Sequence, residues 1–418
     1  MMAREGTRVC NRPDLAKYAV PRLAKREPIH NWFLFPHSFA PQLVDTILEH
    51  LNVSSDSLVL DCCLGAGTTL LACRRKGIPA IGFDHLPLAV YVSNAKIQDY
   101  DPSRVKQGYR FVENLIKTKR SYNIIVPDLP ILHTAYDPEV LSELLRLRDA
   151  ISSVDDSKTR LFLMTAYLAI VSQFSDRSKS GGWLRIDREP SRNPHMVMYT
   201  FSKKVCAMVH DLETAPFSYN KNCHWEAIRH DCRERYDSLK CGTVITSPPY
   251  LNRHDYTRIF ELELALCGIR THQELKELRY SSFRSHVEAN NKRVTPDQLY
   301  GYRPPNQLTE IISELSNRKL NNAKIATTIN GYFEDLYMLL KSVYYMLEER
   351  GKIALILGDV RYAGIAIPVH DITIELGALL GLEWGSTWVI RYRGNSPQQM
   401  KHFGRLRSAE SIIFLYKN

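Results

Sequence analysis

The residues best suited to chemistry follow directly after the apolar segment 244–245, and they are Thr246, Ser247, Pro248, Pro249 and Tyr250. Ser247 Oγ and the Pro248 carbonyl oxygen accept hydrogen bonds, and two consecutive prolines hold both acceptors in one geometry. Tyr250 offers a flat face on which a nucleic-acid base can stack. The amino nitrogen of cytosine or adenine is a poor nucleophile until its hydrogens are held, so this segment suits transfer to such a nitrogen. An ordinary turn after a strand is the alternative interpretation.

A glycine-rich segment, 61–70, lies between a strand pattern and a helix pattern. Gly65 and Gly67 allow the backbone to approach a ligand closely. Asp84 ends the next strand pattern, where its carboxylate can accept hydrogen bonds from the two hydroxyls of a ribose. A dinucleotide fingerprint has a further glycine where this chain has Leu70, and the phosphate-binding pattern G-x-x-x-x-G-K-[ST] is absent from the sequence. The segment favours a cofactor without phosphates, S-adenosylmethionine first, and leaves a dinucleotide or a structural turn open.

Two more carboxylates extend this arrangement. Asp61 ends the first strand pattern and could meet the amino group of a methionine tail, whereas Asp231 ends a third strand pattern and could face an adenine amino group. A lone aspartate at a strand end is more often a turn cap. The glycine segment, Asp84, Asp231 and Ser247 nevertheless follow four strand patterns, and the carboxyl ends of parallel strands meet at one edge of a sheet. We therefore predict a single cleft that holds all four.

The strand patterns that must position these residues alternate with helix patterns, and they span 58–60, 80–83, 226–230, 244–246, 353–357, 383–391 and 411–416. The alternation predicts an α/β fold with a doubly wound, mostly parallel, seven-stranded sheet. Because no helix pattern separates the last two strands, we expect an antiparallel hairpin at the end of the sheet.

Two stretches are too long to be simple crossovers and are predicted to be inserts. The first, 102–217, is helical in pattern and is the favoured target-recognition region, and the second, 271–324, is polar and is a candidate DNA-contact region. The catalytic domain would then comprise 1–101 as the cofactor half, 218–270 with the catalytic loop, and 325–418.

Composition narrows the class of protein. The 418 residues carry a net charge of +10 and a sequence pI near 9.0, which favours a polyanionic partner. The beginning of the sequence lacks an apolar signal region, and the longest apolar run, 161–171, is too short to span a bilayer, so we expect a soluble protein of the cell interior. The nine cysteines form no C-x-x-C pair, and we predict reduced thiols and no metal site.

At this point the sequence resembles the amino-methyltransferase family of site-specific DNA methyltransferases, which modify N4 of cytosine or N6 of adenine. The segment 30–36, followed by 39–44, is similar to the family segment that lines the methionine end of the cofactor. The family commonly has Pro-Phe where this chain has Cys62-Cys63, which removes an aromatic contact beside the cofactor. The resemblance implies that S-adenosylmethionine is bound by Phe35, Asp61, Gly65, Gly67, Thr68, Asp84, Asp231 and Ser247.

The resemblance also implies a pocket for the target base. The segment 331–335, expected to begin a helix, and the segment 393–399, between the last two strands, look like family landmarks, and the second would border a flipped base. Basic side chains such as Arg258 and Arg391 near the cleft edge could contact phosphates. The implied substrate-binding residues are Tyr250, Arg253, Arg393, Ser396 and Gln398.

Serine at the head of the tetrapeptide is more usual in the cytosine enzymes of this family. We therefore predict a monomeric DNA methyltransferase that flips a base of double-stranded DNA and transfers a methyl group directly to N4 of cytosine, with a cognate restriction endonuclease as genetic partner. Three alternatives stay open at this stage: an N6-adenine enzyme, an RNA guanine-N2 methyltransferase, and a catalytically silent DNA-binding subunit.

Overall fold

The computed structural model describes residues 8–118, 126–180, 182–186, 189–214, 223–252, 254–289, 294–318, 320, 322–394, 400 and 402–418. The strands in this part of the chain are β1 Val9–Asn11, β2 Val59–Asp61, β3 Ala80–Asp84, β4 Arg177–Ser180, β5 Trp183–Ile186, β6 Trp225–Arg229, β7 Cys241–Thr246, β8 Leu347–Gly358, β9 Val360–Tyr362, β10 Ile365–Ile367, β11 Leu382–Gly394 and β12 Arg407–Lys417.

The α-helices in the same residues are α1 Pro41–His50, α2 Thr68–Lys76, α3 Pro87–Ile97, α4 Pro102–Thr118, α5 Pro130–Ala135, α6 Pro138–Ser152, α7 Ser157–Val171, α8 His195–Thr214, α9 Tyr256–Ile259, α10 Glu261–Cys267, α11 His272–Tyr280, α12 Asn306–Ser316, α13 Ile325–Met346 and α14 Val369–Leu379. Short 3-10 helices span Pro13–Leu15, Ala24–Arg26, His30–Trp32 and Ser172–Phe174.

The main sheet has the order β1-β11-β12-β8-β7-β2-β3-β6. Strands β6, β3, β2, β7 and β8 are parallel, and β12 runs antiparallel to both β8 and β11. This confirms the predicted doubly wound, mostly parallel fold with an antiparallel hairpin at the end of the chain. The sheet has one strand more than predicted, because β1 pairs with β11. The sequence did not predict β1, since this strand is short and exposed and has no apolar pattern.

The order of the strands explains where a site can form. Chain order leads from β2 outward to β3 and β6, and then returns to β7 on the other side of β2. The loops that follow β2 and β7 therefore leave the sheet side by side, at the point where the winding direction reverses. In a doubly wound sheet this reversal opens a crevice at the carboxyl ends of the strands.

The first long insert forms a layer of helices, α4 to α8, with the two-stranded hairpin β4–β5. Helix α7 is buried on nearly all sides, which explains its uninterrupted apolar sequence. Asp211 on α8 accepts hydrogen bonds from Trp32 Nε1 and from the Ile29 amide, both at 3.0 Å, so the layer is fastened to the segment before α1. Within the described residues, no helix is both long and apolar enough to cross a membrane.

The second insert packs on α13 through buried charge. The Arg284 amide and guanidinium donate to Asp335, whose side chain is 0% exposed. The prediction that 331–335 begins a helix is wrong, since α13 begins at Ile325 and Gly331 lies inside it. The reason is that Ile325 and Ile329 already continue the buried face of the helix. At Gly331 a Cβ atom would lie 2.7 Å from Arg284 Nη1, so the glycine makes room for the arginine.

Candidate active site

A cavity of about 340 Å³ lies at the carboxyl ends of the parallel strands. It brings together most residues predicted to form the site, namely Phe35, Gly65, Thr68, Asp84, Asp231, Ser247, Pro248, Pro249, Tyr250 and Arg393. Asp61 and Gly67 are not among the lining residues. The predicted substrate contacts Arg253, Ser396 and Gln398 lie outside the described residues.

Asp61 ends β2 beneath the cavity and joins two loops. Its carboxylate accepts hydrogen bonds from the Cys63 amide at 3.1 Å and from Thr246 Oγ1 at 2.8 Å. The Cys63 amide also donates to Thr246 Oγ1 at 3.0 Å. Burial raises the pKa of Asp61, while its hydrogen bonds oppose that rise. In this arrangement Asp61 holds the glycine segment against the strand that carries Ser247, and its contact with a ligand stays a prediction.

The two glycines of the loop serve different purposes. Both have left-handed backbone conformations, with φ of +53° at Gly65 and +76° at Gly67. A Cβ atom at Gly65 would meet nothing within 4 Å, whereas one at Gly67 would lie 2.6 Å from Ser93 Oγ and 2.9 Å from Ser93 Cβ. Gly65 thus borders open space in the cavity. Gly67 instead allows the start of α2 to pack against α3.

This difference predicts unequal losses of stability. Gly65→Ala places a side chain at positive φ in open space, which costs about 1–2 kcal/mol in the free energy of unfolding. Gly67→Ala has the same backbone cost and adds overpacking of about 1–3 kcal/mol against Ser93. Urea unfolding of both variants checks this, and Ser93→Gly should restore part of the loss in Gly67→Ala only. Equal losses in the two single variants would contradict the assignment.

Asp84 lies on the edge of the cavity and also closes the glycine loop. Its Oδ2 accepts a hydrogen bond from the Gly65 amide and its Oδ1 from the Leu86 amide, each at 2.8 Å. Burial raises the pKa of Asp84 to about 6, although these amide hydrogen bonds oppose the rise. A partly desolvated carboxylate of this kind is a strong acceptor for ligand hydroxyl groups.

Asp231 lines the cavity but is already paired. Burial acts to raise its pKa, yet the hydrogen bonds and charge of Arg233 hold the pKa below its ordinary value. Arg233 donates to both carboxylate oxygens of Asp231, at 2.9 and 2.6 Å, and lies 3.2 Å from Asp335. The buried ion pairs of the second insert therefore reach the cavity wall and fix the Asp231 side chain. Arg233 is not among the residues predicted from the sequence, although it stands only two residues after the strand-end aspartate.

The catalytic segment is held at its far end by a strand from the terminal hairpin. Tyr250 Oη donates a 2.9 Å hydrogen bond to Glu410 Oε1, and Glu410 is buried. Burial and the Glu410 charge raise the pKa of Tyr250 well above its ordinary value, so the phenol remains a donor. Glu410 is not among the residues predicted from the sequence. The sequence feature that could have identified it is a charged residue directly before the apolar strand pattern 411–416.

Arg391 and Arg393 both approach Glu410. Arg391 Nε donates to Glu410 Oε2, and Arg393 Nε lies 3.4 Å from the same oxygen. The Arg393 guanidinium also lies over the Tyr250 ring, 5.2 Å from its centroid. Arg391 lines the cavity, as Arg393 does, and its interpretation as a phosphate contact stays a prediction. Arg258 lies 3.6 Å from Asp255 and from Glu288.

The segment before α1 forms a further part of the cavity wall. Phe35 packs on Phe260 with ring centroids 4.4 Å apart, and Lys96 Nζ donates to the carbonyl oxygens of Phe33 and Ala66 at 2.7 and 2.8 Å. Burial lowers the pKa of Lys96 to about 7. Lys96 therefore ties this segment to the glycine loop, and Phe35 faces the cavity from a fixed position.

The arrangement places two kinds of group in one cavity. One side offers a glycine backbone and carboxylates suited to a nucleoside, and the other offers rigid acceptors, an aromatic ring and arginine donors. Such a site can hold a nucleoside cofactor against a planar, amino-bearing substrate. Direct transfer between the two would need no covalent intermediate on the protein.

Comparison with known proteins agrees with this chemistry. The chain is 26% identical to the type II methyltransferase M.BsoBI of Geobacillus stearothermophilus over 445 aligned residues, covering 94% of this chain and 86% of that protein. It is likewise 26% identical to the type II methyltransferase M.AvaI of Nostoc sp. over 437 residues, covering 94% and 87%. The chain resembles the type II methyltransferases. This confirms the resemblance inferred from the motifs.

Family models and solved structures give weaker similarity than these two relatives. No family model matches the sequence. Among solved structures, TrmN of Thermus thermophilus matches with a TM-score of 0.29 and 8% identity, covering 90% of this chain and 49% of that one. The rRNA methyltransferase aviRa of Streptomyces viridochromogenes matches with a TM-score of 0.29 and 10% identity, covering 90% and 85%. Because TM-scores this low do not support an argument about the fold, the fold is assigned from the strand order of the main sheet.

One departure from the methyltransferase pattern is visible in the cavity. Cys62 and Cys63 stand where the family commonly has Pro-Phe, and both line the cavity together with Cys232. A hydrogen bond with the Cys232 thiol and burial raise the pKa of Cys63 well above its ordinary value. Burial likewise raises the pKa of Cys62, so the Cys62 and Cys63 thiols are protonated and contribute apolar, polarizable contacts where the family commonly has an aromatic ring.

Proposed function

We propose that this chain is a site-specific DNA methyltransferase that transfers a methyl group from S-adenosylmethionine to N4 of cytosine in double-stranded DNA. The observation that carries the proposal is the juxtaposition of Ser247, Pro248 and Tyr250 with the Gly65–Asp84 edge in one cavity. The similarity to type II methyltransferases along 94% of the chain supports a place in a restriction-modification system, with a cognate endonuclease as genetic partner.

The cavity fits the cofactor. Open space beside Gly65 allows close approach to the backbone, and the Asp84 carboxylate can accept hydrogen bonds from two ribose hydroxyls. When bound, S-adenosylmethionine supplies an electrophilic methyl group on its sulfonium centre. The residues that would hold it are Phe35, Gly65, Thr68, Asp84 and Asp231, with Asp61 and Gly67 shaping the loop from below.

The residues of the catalytic segment prepare the substrate nitrogen. Ser247 Oγ and the Pro248 carbonyl oxygen accept the two N–H groups of the target base, so that the nitrogen lone pair is directed away from the ring. Pro248 and Pro249 limit backbone motion, which keeps both acceptors in place. Tyr250, held by Glu410, gives the base a flat surface.

A base inside a duplex cannot enter this cavity, so the reaction requires base flipping. The net charge of +10 favours association with the DNA backbone. We propose that the first insert, 102–217, contributes target recognition and that the second, 271–324, contacts DNA. The proposed enzyme acts as a monomer inside the cell, where its DNA substrate is found.

The test is mass spectrometry of nucleosides from unmethylated DNA, and separately from RNA, after incubation with the purified chain and methyl-labelled S-adenosylmethionine. We expect labelled N4-methylcytosine in DNA. Labelled N6-methyladenine would correct the base and keep the enzyme class. Label in RNA alone, or none in any substrate, would contradict the proposal. Sequencing of the modified DNA then identifies the recognition site.

A further inference from the structure

Two arginines and one glutamate meet in the cavity beside Tyr250. Glu410 is shared, since its Oε1 accepts from Tyr250 Oη and its Oε2 lies against Arg391 Nε and Arg393 Nε. The Glu410 side chain is 4% exposed, whereas those of Arg391 and Arg393 are 23% and 34% exposed. Two guanidinium groups thus share one carboxylate. The cluster has a net positive charge and presents N–H donors to the cavity.

A β-bulge creates this cluster. Val389 pairs with Ser411, but the register then shifts so that Arg391 pairs with Glu410. Without the shift, alternation along β11 would place Arg391 on the face of Val389, opposite to the face of Glu410. The extra residue therefore turns Arg391 toward the cavity, which is the usual effect of a bulge beside a binding site.

The cluster is continuous with the catalytic segment. Tyr250 lies three residues after Ser247 in the same proline-stiffened loop, and its hydroxyl leads to Glu410 and Arg391. At Gly358 a Cβ atom would lie 2.5 Å from Arg393 Nη2 and 3.3 Å from the Tyr250 ring, so glycine leaves room for both. The acceptor for an amino group and the arginine donors therefore line one cavity, together with the Tyr250 ring and Glu410.

We propose that Arg391 and Arg393, held by Glu410, donate hydrogen bonds to O2 of the target cytosine and thereby select cytosine over adenine. This inference rests on the proposed function. On one edge cytosine carries N4, N3 and O2, so O2 can reach the arginines while N4 lies at Ser247. Adenine offers a C2–H group in place of O2, which accepts no hydrogen bond. Adenine in the same place gives the guanidinium N–H groups no acceptor in exchange for the water that it displaces, which disfavours the wrong base.

The test uses a duplex that contains the recognition site and a second duplex with adenine at the target position. The wild-type chain is compared with the charge-balanced variant Arg391→Met/Glu410→Gln and with Arg391→Lys. We expect the ratio of kcat/KM for cytosine over adenine to fall at least about 10-fold in both, since loss of a hydrogen bond from a charged donor costs this much or more. Affinity for S-adenosylmethionine should be unchanged, which reports correct folding.

Arg407→Met is the matched control, because Arg407 is an exposed arginine on the same hairpin. It should leave the ratio unchanged. Equal losses on both duplexes, rescued by Arg391→Lys, would mean that the arginines bind a phosphate and would overturn the inference while the proposed function stands. A wild-type chain that prefers adenine would also overturn it. A wild-type chain that methylates no DNA would fail already in the nucleoside experiment, and both proposals would then be wrong.

Discussion

Ser247→Ala is expected to lower kcat for methyl transfer by about 10²–10³-fold, which is the usual effect of removing one preorganised polar contact to the reacting group. The reason is that Ser247 Oγ lines the cavity and can accept an N–H of the target base, which the nitrogen must release as it becomes a nucleophile. Single-turnover kinetics with labelled S-adenosylmethionine measure the effect. Thermal stability should stay close to wild type, and any loss of cofactor affinity should be small beside the loss of kcat.

Ser282→Ala is the control for this substitution. Ser282 also lines the cavity, but its hydroxyl donates to the Leu278 carbonyl oxygen at 2.9 Å and lies outside the catalytic segment. Its kcat should differ little from that of the wild type. Normal turnover in Ser247→Ala would refute the chemistry assigned to the catalytic segment, whereas an equal loss in both variants would indicate a general disturbance of the cavity.

Asp84→Asn is expected to weaken binding of S-adenosylmethionine by about 10²-fold, since hydrogen bonds to a charged group are worth about 1.5–3 kcal/mol each. Asp84 accepts hydrogen bonds from the Gly65 and Leu86 amides through its two oxygens. An asparagine must place its NH₂ group against one of these N–H donors, so the glycine loop also loses a contact. Isothermal titration calorimetry gives the dissociation constant.

The same carboxylate predicts a pH dependence with a definite sign. The pKa of Asp84 in the cofactor-free protein is raised from 3.8 to about 6. Ionisation of Asp84 therefore lowers the stability of the cofactor-free fold as the pH rises through about 6. Ribose hydroxyls need the ionised form as acceptor, so wild-type affinity should fall as the pH drops below about 6, by at most about tenfold per pH unit.

Asp84→Asn should abolish this dependence, since it removes the titrating group. Asp237→Asn, at an aspartate 81% exposed to solvent, should keep both the affinity and the dependence of the wild type. A wild-type affinity that stays constant between pH 5 and pH 8 would show that Asp84 does not bind the cofactor in its ionised form.

Much of the fold and part of the candidate site could be predicted because their signals are local. The seven predicted strands all appear in the main sheet. Ser247, Pro248 and Tyr250 follow β7 directly, and Gly65 follows β2, so their positions depend only on where a strand ends. Once the strands are parallel, these loops must meet at one edge of the sheet.

Only the tertiary structure decided which neighbouring residues face the cavity. Asp61 and Gly67 belong to the same loop as Gly65, yet Asp61 bonds to Thr246 and Gly67 packs on Ser93. The β-bulge that pairs Arg391 with Glu410 is equally invisible in an apolar pattern. Each of these contacts joins residues far apart in sequence, and each depends on the strand register and helix packing of the finished fold. The sequence by itself therefore determined which chemical groups follow the strands. The tertiary structure decided which of these side chains face the cavity.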